Sequence, residues 1–171
     1  MTTSSVTFFL GGARSGKSRL AQQLAETQSG ALVYLATGQA FDAEMADRIQ
    51  RHRADRGARW RTVDCPLDLP VAIRREAVAG NVVLVDCLTL WSSNLLLADA
   101  DANAAGNDLL AAIAAATGPV ILVSNEVGLG IVPDNALARR FRDDVGRLHQ
   151  AVAARADTVH FVAAGLSVRL K

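Results

Sequence analysis

Gly11-Gly12-Ala13-Arg14-Ser15-Gly16-Lys17-Ser18 fits the pattern G-x-x-x-x-G-K-[ST], the P-loop. Its flanks agree with the motif. The apolar run Val6 to Leu10 precedes it and reads as a buried strand. Arg19 to Thr27 follows it, with Leu20, Ala21, Leu24 and Ala25 at helical spacing. Strand, glycine loop and helix is the arrangement that turns backbone N–H groups, and the positive end of a helix dipole, toward a chain of phosphates. In such a loop Lys17 reaches the β/γ-phosphates and Ser18 offers its hydroxyl to Mg²⁺.

Working outward, four more apolar runs read as buried strands: Ala31–Ala36, Val82–Val85, Val120–Val123 and Val159–Ala163. Helical segments separate them, and strand–helix alternation predicts an α/β fold with a mostly parallel sheet and right-handed crossovers. Leu166–Leu170 alternates apolar and polar residues directly after Ala163-Ala164-Gly165, which predicts a final antiparallel edge strand. Helices are expected over Asp42–Arg56, from Asp68 as cap to Ala79, from near Thr89, within the alanine-rich stretch Ala98–Ala116, and from Pro133 to Ala156. No linker or internal repeat interrupts residues 1–171, so a single nucleotide-binding domain is expected.

Composition narrows the classes of function. Eighteen Lys and Arg against seventeen Asp and Glu leave a net charge of +1, which gives no bulk case for nucleic acid or a membrane surface. Aromatic residues are only 5% of the chain, too few for a single-strand stacking platform. Half of the residues are apolar, as suits a sheet covered on both faces. Cys65 and Cys87 stand far apart in no metal spacing, and Val6–Leu10 is too short for a signal segment. A reducing, cytoplasmic setting is expected.

Three further stretches carry chemistry. Val82-Val83-Leu84-Val85-Asp86 is a strand ending in a carboxylate, the place from which P-loop proteins hold Mg²⁺. Ser124-Asn125-Glu126-Val127-Gly128-Leu129-Gly130 follows the fourth strand, so Glu126 competes with Asp86 for the metal or base role. His52 lies within Arg48-Ile49-Gln50-Arg51-His52-Arg53-Ala54-Asp55-Arg56. Surrounding positive charge favours its neutral form, which is nucleophilic. Taken by composition alone, the same stretch is also a solvated basic face with a bystander histidine. His149 is expected on a helix and His160 in a strand.

Several of these motifs together resemble a known family. They are the P-loop, Leu35-Ala36-Thr37, Asp42-x-Glu44-Met45-x-x-Arg48-Ile49-x-x-His52-x-x-x-Arg56, Trp60-Arg61-Thr62, Asn125-Glu126-Val127-Gly128-x-Gly130-Ile131-Val132-Pro133 and Arg140-Phe141-Arg142-Asp143. In this order and spacing they resemble the bifunctional adenosylcobinamide kinase/adenosylcobinamide-phosphate guanylyltransferases of cobalamin biosynthesis. The resemblance implies a RecA-like P-loop fold, a homotrimer and two reactions. One phosphorylates adenosylcobinamide with ATP or GTP. The other transfers GMP from GTP to adenosylcobinamide phosphate through a GMP–histidine intermediate, for which the matching residue is His52. Catalytic roles are implied for His52 and Lys17. Nucleotide contacts are implied for Gly11, Gly12, Ala13, Arg14, Ser15, Gly16, Lys17, Ser18, Ala36, Thr37, Gly38, Arg53, Ala54, Asp55, Arg56, Asp64 and Asp86, with Mg²⁺ on Ser18 and Asp86. His149-Gln150 departs from the Asn-Gln of the family pattern, and Gly57 stands where proline is frequent. The competing expectations are a small-metabolite P-loop kinase that leaves His52 idle, and a RecA-like ATPase module acting on a protein partner.

Overall fold

Thr7 to Gly11 of the first strand stand between two parallel neighbours, so both edges of the P-loop strand are hydrogen-bonded. The strand is β1 (Val6–Gly11), and its neighbours are β5 (Val120–Asn125) and β6 (Thr158–Ala163). The computed structural model describes residues 4–40 and 43–171. Its sheet has seven strands in the order β3-β2-β4-β5-β1-β6-β7, with β2 (Ala31–Ala36), β3 (Trp60–Asp64), β4 (Asn81–Asp86) and β7 (Leu166–Arg169). All pairings are parallel except β6 with β7. The mostly parallel sheet and its antiparallel C-terminal edge are as expected.

The runs of β1, β2, β4 and β5 are strands buried on both faces, whereas in β6 only Val159 and Val162 are buried. Phe8, Val33, Leu35, Val83, Val85 and Leu122 point to one face, where they meet α3 (Leu69–Glu76), α4 (Leu88–Leu97), α5 (Ala102–Ala114) and α6 (Ala136–Arg155). Phe9, Leu32, Tyr34, Val82, Leu84, Ile121 and Val123 point to the other, against Ala21 and Ala25 of α1 (Lys17–Thr27). Continuous apolar strands of this kind need a cover on each side. Helix α2 (Ala43–Arg56) joins β2 to β3. No helix among the described residues is long and apolar enough to cross a membrane.

Three expectations need correction. Trp60–Asp64 forms the edge strand β3, which the search for apolar runs passes over. Its residues are half-buried or exposed, and it is held by polar contacts. The Trp60 indole donates to Glu26 Oε1 at 3.0 Å, and Arg61 pairs with Glu76 of α3. Helix α6 starts at Ala136 rather than Pro133, because Asn135 is the cap: its Oδ1 accepts the Ala138 N–H at 2.7 Å. Asp68 does precede α3, but its side chain makes no capping bond, and the helix ends at Glu76 rather than Ala79. The helix expected within the alanine-rich stretch is α5, with Asp101 Oδ1 accepting the N–H groups of Asn103 and Ala104. The expected start of α2 at Asp42 lies outside the described residues.

Candidate functional site

The carboxyl ends of β1, β4 and β5 meet around the Gly11–Ser18 loop. Gly11 is the last residue of β1, and no other residue type fits there. A Cβ on it would lie 2.4 Å from the Val162 carbonyl oxygen of β6 and 2.8 Å from Ser15 Oγ. Gly16, the residue before α1, has φ +94°, a left-handed conformation natural to glycine. Arg14 at the exposed apex also has a positive φ, 54°, which costs an arginine about 1 kcal/mol and marks a loop shape imposed by its surroundings. Part of that surrounding is the β6–β7 turn, where the Gly165 N–H donates to the Ser15 carbonyl at 2.7 Å.

Inside the loop, Lys17 is buried and its Nζ donates to the Gly12 carbonyl at 3.0 Å. The Ser15 hydroxyl is buried with no hydrogen-bond partner among the described residues. A buried hydroxyl left in that state is costly, and a phosphate oxygen in the loop is the partner the motif provides. The Lys17 charge reaches the β4 end, where it opposes the rise of the Cys87 thiol pKa. Burial and the Asp86 carboxylate prevail and push that thiol up to about 11. Lys17 and Asp86 thus act on Cys87 with opposite sign.

Asp86 is held from the β2 side. The buried Tyr34 phenol hydrogen-bonds to it, and its pKa is raised well above the ordinary value, first by burial and then by the Asp86 charge. The Arg56 guanidinium lies 3.5 Å from the centroid of the same Tyr34 ring and partly offsets that rise. Arg56 Nη2 also donates to Thr62 Oγ1 at 3.4 Å. Thr37 closes the β2 end onto the β4 end. Its hydroxyl donates to the Cys87 carbonyl at 2.7 Å and accepts the Cys87 N–H at 2.8 Å. Asn94 donates to the Thr37 carbonyl at 2.7 Å. Ala36 and Asp64 are register partners on β2 and β3, on the same side of the sheet.

Glu126 is differently employed. Its carboxylate oxygens accept the Gly128 N–H at 2.6 Å and the Leu129 N–H at 3.0 Å, bracing its own loop. The Glu126 N–H donates to the Gly11 carbonyl at 2.9 Å. Behind it runs a buried chain that the sequence reading missed. The Asn125 N–H donates to Thr89 Oγ1 at 2.6 Å, Thr89 Oγ1 lies 2.9 Å from Ser124 Oγ, and Ser124 Oγ lies 2.7 Å from His149 Nε2. Burial lowers the His149 pKa to about 4, against a smaller opposing effect of Glu126. His149 is on α6 and His160 on β6, as expected. The available signal was that His149 shares a helical stripe with Val145 and Val152, the other buried residues of α6.

Helix α2 carries His52, Arg53, Ala54 and Asp55. Ala54 is exposed, and the side chains of His52, Arg53 and Asp55 lie outside the described residues. Ile49 of this helix is half-buried. A side chain at Gly38, just past β2, would come within 3.6 Å of Ile49 and Leu90. The remaining thiol, Cys65, is buried and pushed up to about 12, chiefly by burial, so neither cysteine is a nucleophile at neutral pH.

Fold and loop together define a P-loop protein. The family model described as cobinamide kinase / cobinamide phosphate guanyltransferase matches residues 7–170, and the chain belongs to that family. It is 53% identical over 164 residues to the bifunctional adenosylcobalamin biosynthesis protein CobP of Pseudomonas aeruginosa, covering 95% of each chain. It is 42% identical over 176 residues to the bifunctional adenosylcobalamin biosynthesis protein CobU of Salmonella typhimurium, covering 94% of this chain and 97% of that one. The corresponding CobU protein of Escherichia coli is 43% identical over 176 residues, with the same coverage. Among solved structures, the RadB recombinase matches with a TM-score of 0.49 at 15% identity, over 94% of this chain and 74% of that one.

Proposed function

We propose that this chain phosphorylates the free hydroxyl of adenosylcobinamide with ATP or GTP, and then transfers GMP from GTP to the resulting phosphate. The products of the second reaction are adenosylcobinamide-GDP and pyrophosphate. The observation that carries the reading is the family match across residues 7–170, and the P-loop geometry supplies its chemistry. In the first reaction the acceptor oxygen attacks the γ-phosphorus and the bond to the β-phosphate bridge breaks. Lys17 and the loop N–H groups hold the charge that moves onto the departing diphosphate.

In the second reaction an imidazole nitrogen of His52 attacks the α-phosphorus of GTP. A P–N bond forms and pyrophosphate leaves. A phosphate oxygen of adenosylcobinamide phosphate then attacks the same phosphorus, and the P–N bond breaks to return the imidazole. The packing of Ile49 beside Gly38 supports this role, because His52 follows Ile49 by one helical turn on α2. Nucleotide contacts are assigned to Gly11–Ser18, Ala36–Gly38, Arg53–Arg56, Asp64 and Asp86.

Ser18 and Asp86 would hold Mg²⁺, which neutralises phosphate charge when bound. Among the described residues no three His, Cys, Asp or Glu groups stand together. Mg²⁺ needs only one or two protein oxygens besides the phosphates, and the partnerless Ser15 hydroxyl marks the same loop as shaped for a phosphate. With its carboxylate engaged on Gly128 and Leu129, Glu126 is the weaker metal candidate. Assembly as a homotrimer belongs to the same reading. It is supported by Leu166 and Val168, apolar residues exposed on the edge strand β7, since such an edge invites a partner.

The direct test is incubation with labelled GTP and adenosylcobinamide, followed by identification of the products. Adenosylcobinamide phosphate and adenosylcobinamide-GDP are expected. A chain that hydrolyses nucleotide without modifying the corrinoid would contradict the proposal.

A further inference from the structure

The loop between β5 and α6 displays an apolar surface that no described residue covers. Leu129 is 80% exposed, Ile131 98%, Val132 60%, and Leu137 on the first turn of α6 57%. Single apolar residues at a surface are ordinary, but four on one short segment make a patch of the kind that binds something. The segment is also braced. Glu126 accepts the Gly128 and Leu129 N–H groups at one end. At the other, the Arg139 guanidinium donates to the Pro133 and Asp134 carbonyls, both at 2.9 Å. Asn135 caps the helix that follows. Side chains are thus committed to holding apolar groups in water.

The root of the segment is the P-loop itself, through the 2.9 Å bond from the Glu126 N–H to the Gly11 carbonyl. We infer that Leu129, Ile131, Val132 and Leu137 form the lip on which the corrin macrocycle of the acceptor rests while its hydroxyl-bearing arm reaches the phosphates. The inference rests on the functional reading above and assigns its acceptor subsite. The acceptor must place a small polar end at the loop while its bulky ring stays outside. A corrin ring has methyl-bearing faces, which complement exposed apolar side chains. The ring cannot enter the cavity between α4, α5 and α6, lined by Trp91, Leu95, Phe141 and Leu148, because its volume is about 30 Å³, room for roughly one water. The competing occupant of the lip is a second copy of this chain.

The test is the double variant Leu129→Ser/Ile131→Ser, whose exposed positions leave the core untouched. Cobinamide binding is measured by equilibrium dialysis with a non-hydrolysable ATP analogue present, alongside nucleotide affinity and light scattering. The Kd for cobinamide should rise about tenfold or more, as loss of two apolar contacts requires. Nucleotide affinity and the number of chains per particle should not change, and Leu129→Met/Ile131→Val should bind like wild type. An unchanged cobinamide Kd in the serine variant overturns the inference alone, and so does a smaller particle, which would make the lip a subunit contact. Wild type that binds nucleotide but no cobinamide overturns the functional reading and the inference with it.

Discussion

At the scale of single residues, the P-loop works by close approach as much as by charge. Gly11 faces a backbone carbonyl of β6 that has no room to yield, whereas a Cβ on Gly12 would meet nothing within 4 Å. Gly11→Ala should therefore destabilise the fold by about 1–3 kcal/mol and abolish nucleotide binding. Gly12→Ala should leave the melting temperature unchanged. Thermal melts of the two variants side by side check this, and equal melting temperatures would contradict it. Lys17 is the cation of the loop, so Lys17→Ala should cripple both reactions if one triphosphate site serves them. Survival of either near its wild-type rate would mean two sites. The loop was legible in the sequence because glycine and lysine spacing encodes its shape. The bracing of its own loop by Glu126 was not, because it depends on backbone N–H groups that only the folded 126–129 turn brings to the Glu126 carboxylate.

At the scale of elements, what the sequence revealed followed burial. Strands β1, β2, β4 and β5 were readable because both their faces are covered, β6 because its apolar residues outnumber His160, and α1 because its stripe is regular. Strand β3 was hidden because an edge strand needs only one partner, and Trp60 and Arg61 hold it through Glu26 and Glu76. The start of α6 was hidden because proline and asparagine compete as start signals, and the Asn135 side chain made the capping bond. The tie between α6, β5 and α4 through His149, Ser124 and Thr89 brings together residues far apart in the chain, which no local pattern records.

That tie has a pH signature. The folded pKa of His149 is about 4, below the value of about 6.5 for an unfolded histidine. Between these values the unfolded chain binds more protons than the native one. His149 therefore contributes a stability that rises with pH from 4 to 6.5 and is lost as pH falls through that window. His149→Gln can keep a hydrogen bond to Ser124 without titrating. Its melting temperature should vary less between pH 6.5 and 4 than that of wild type, and His149→Ala should be less stable than wild type at pH 7. Parallel pH dependence in wild type and His149→Gln would show that another group carries the slope.

At the scale of the whole molecule, one sheet gathers the strand ends β1, β2, β4 and β5 at a single rim, and the P-loop, Thr37, Asp86, Glu126 and helix α2 all sit on it. Light scattering in dilute buffer should report three chains per particle, and a fully active monomer would contradict the homotrimer reading. The central claim is that this one rim performs two transfers, only the second of which goes through His52. It is tested most directly by incubating the protein with GTP labelled at the α-phosphate and measuring covalent label after denaturation. Wild type should carry GMP in a linkage labile to acid and stable to alkali. His52→Asn should carry none while still phosphorylating adenosylcobinamide, because that step needs positioning by Lys17 and the loop rather than a P–N bond. Covalent GMP on His52→Asn, or its absence from a wild type that still makes adenosylcobinamide-GDP, would contradict the claim.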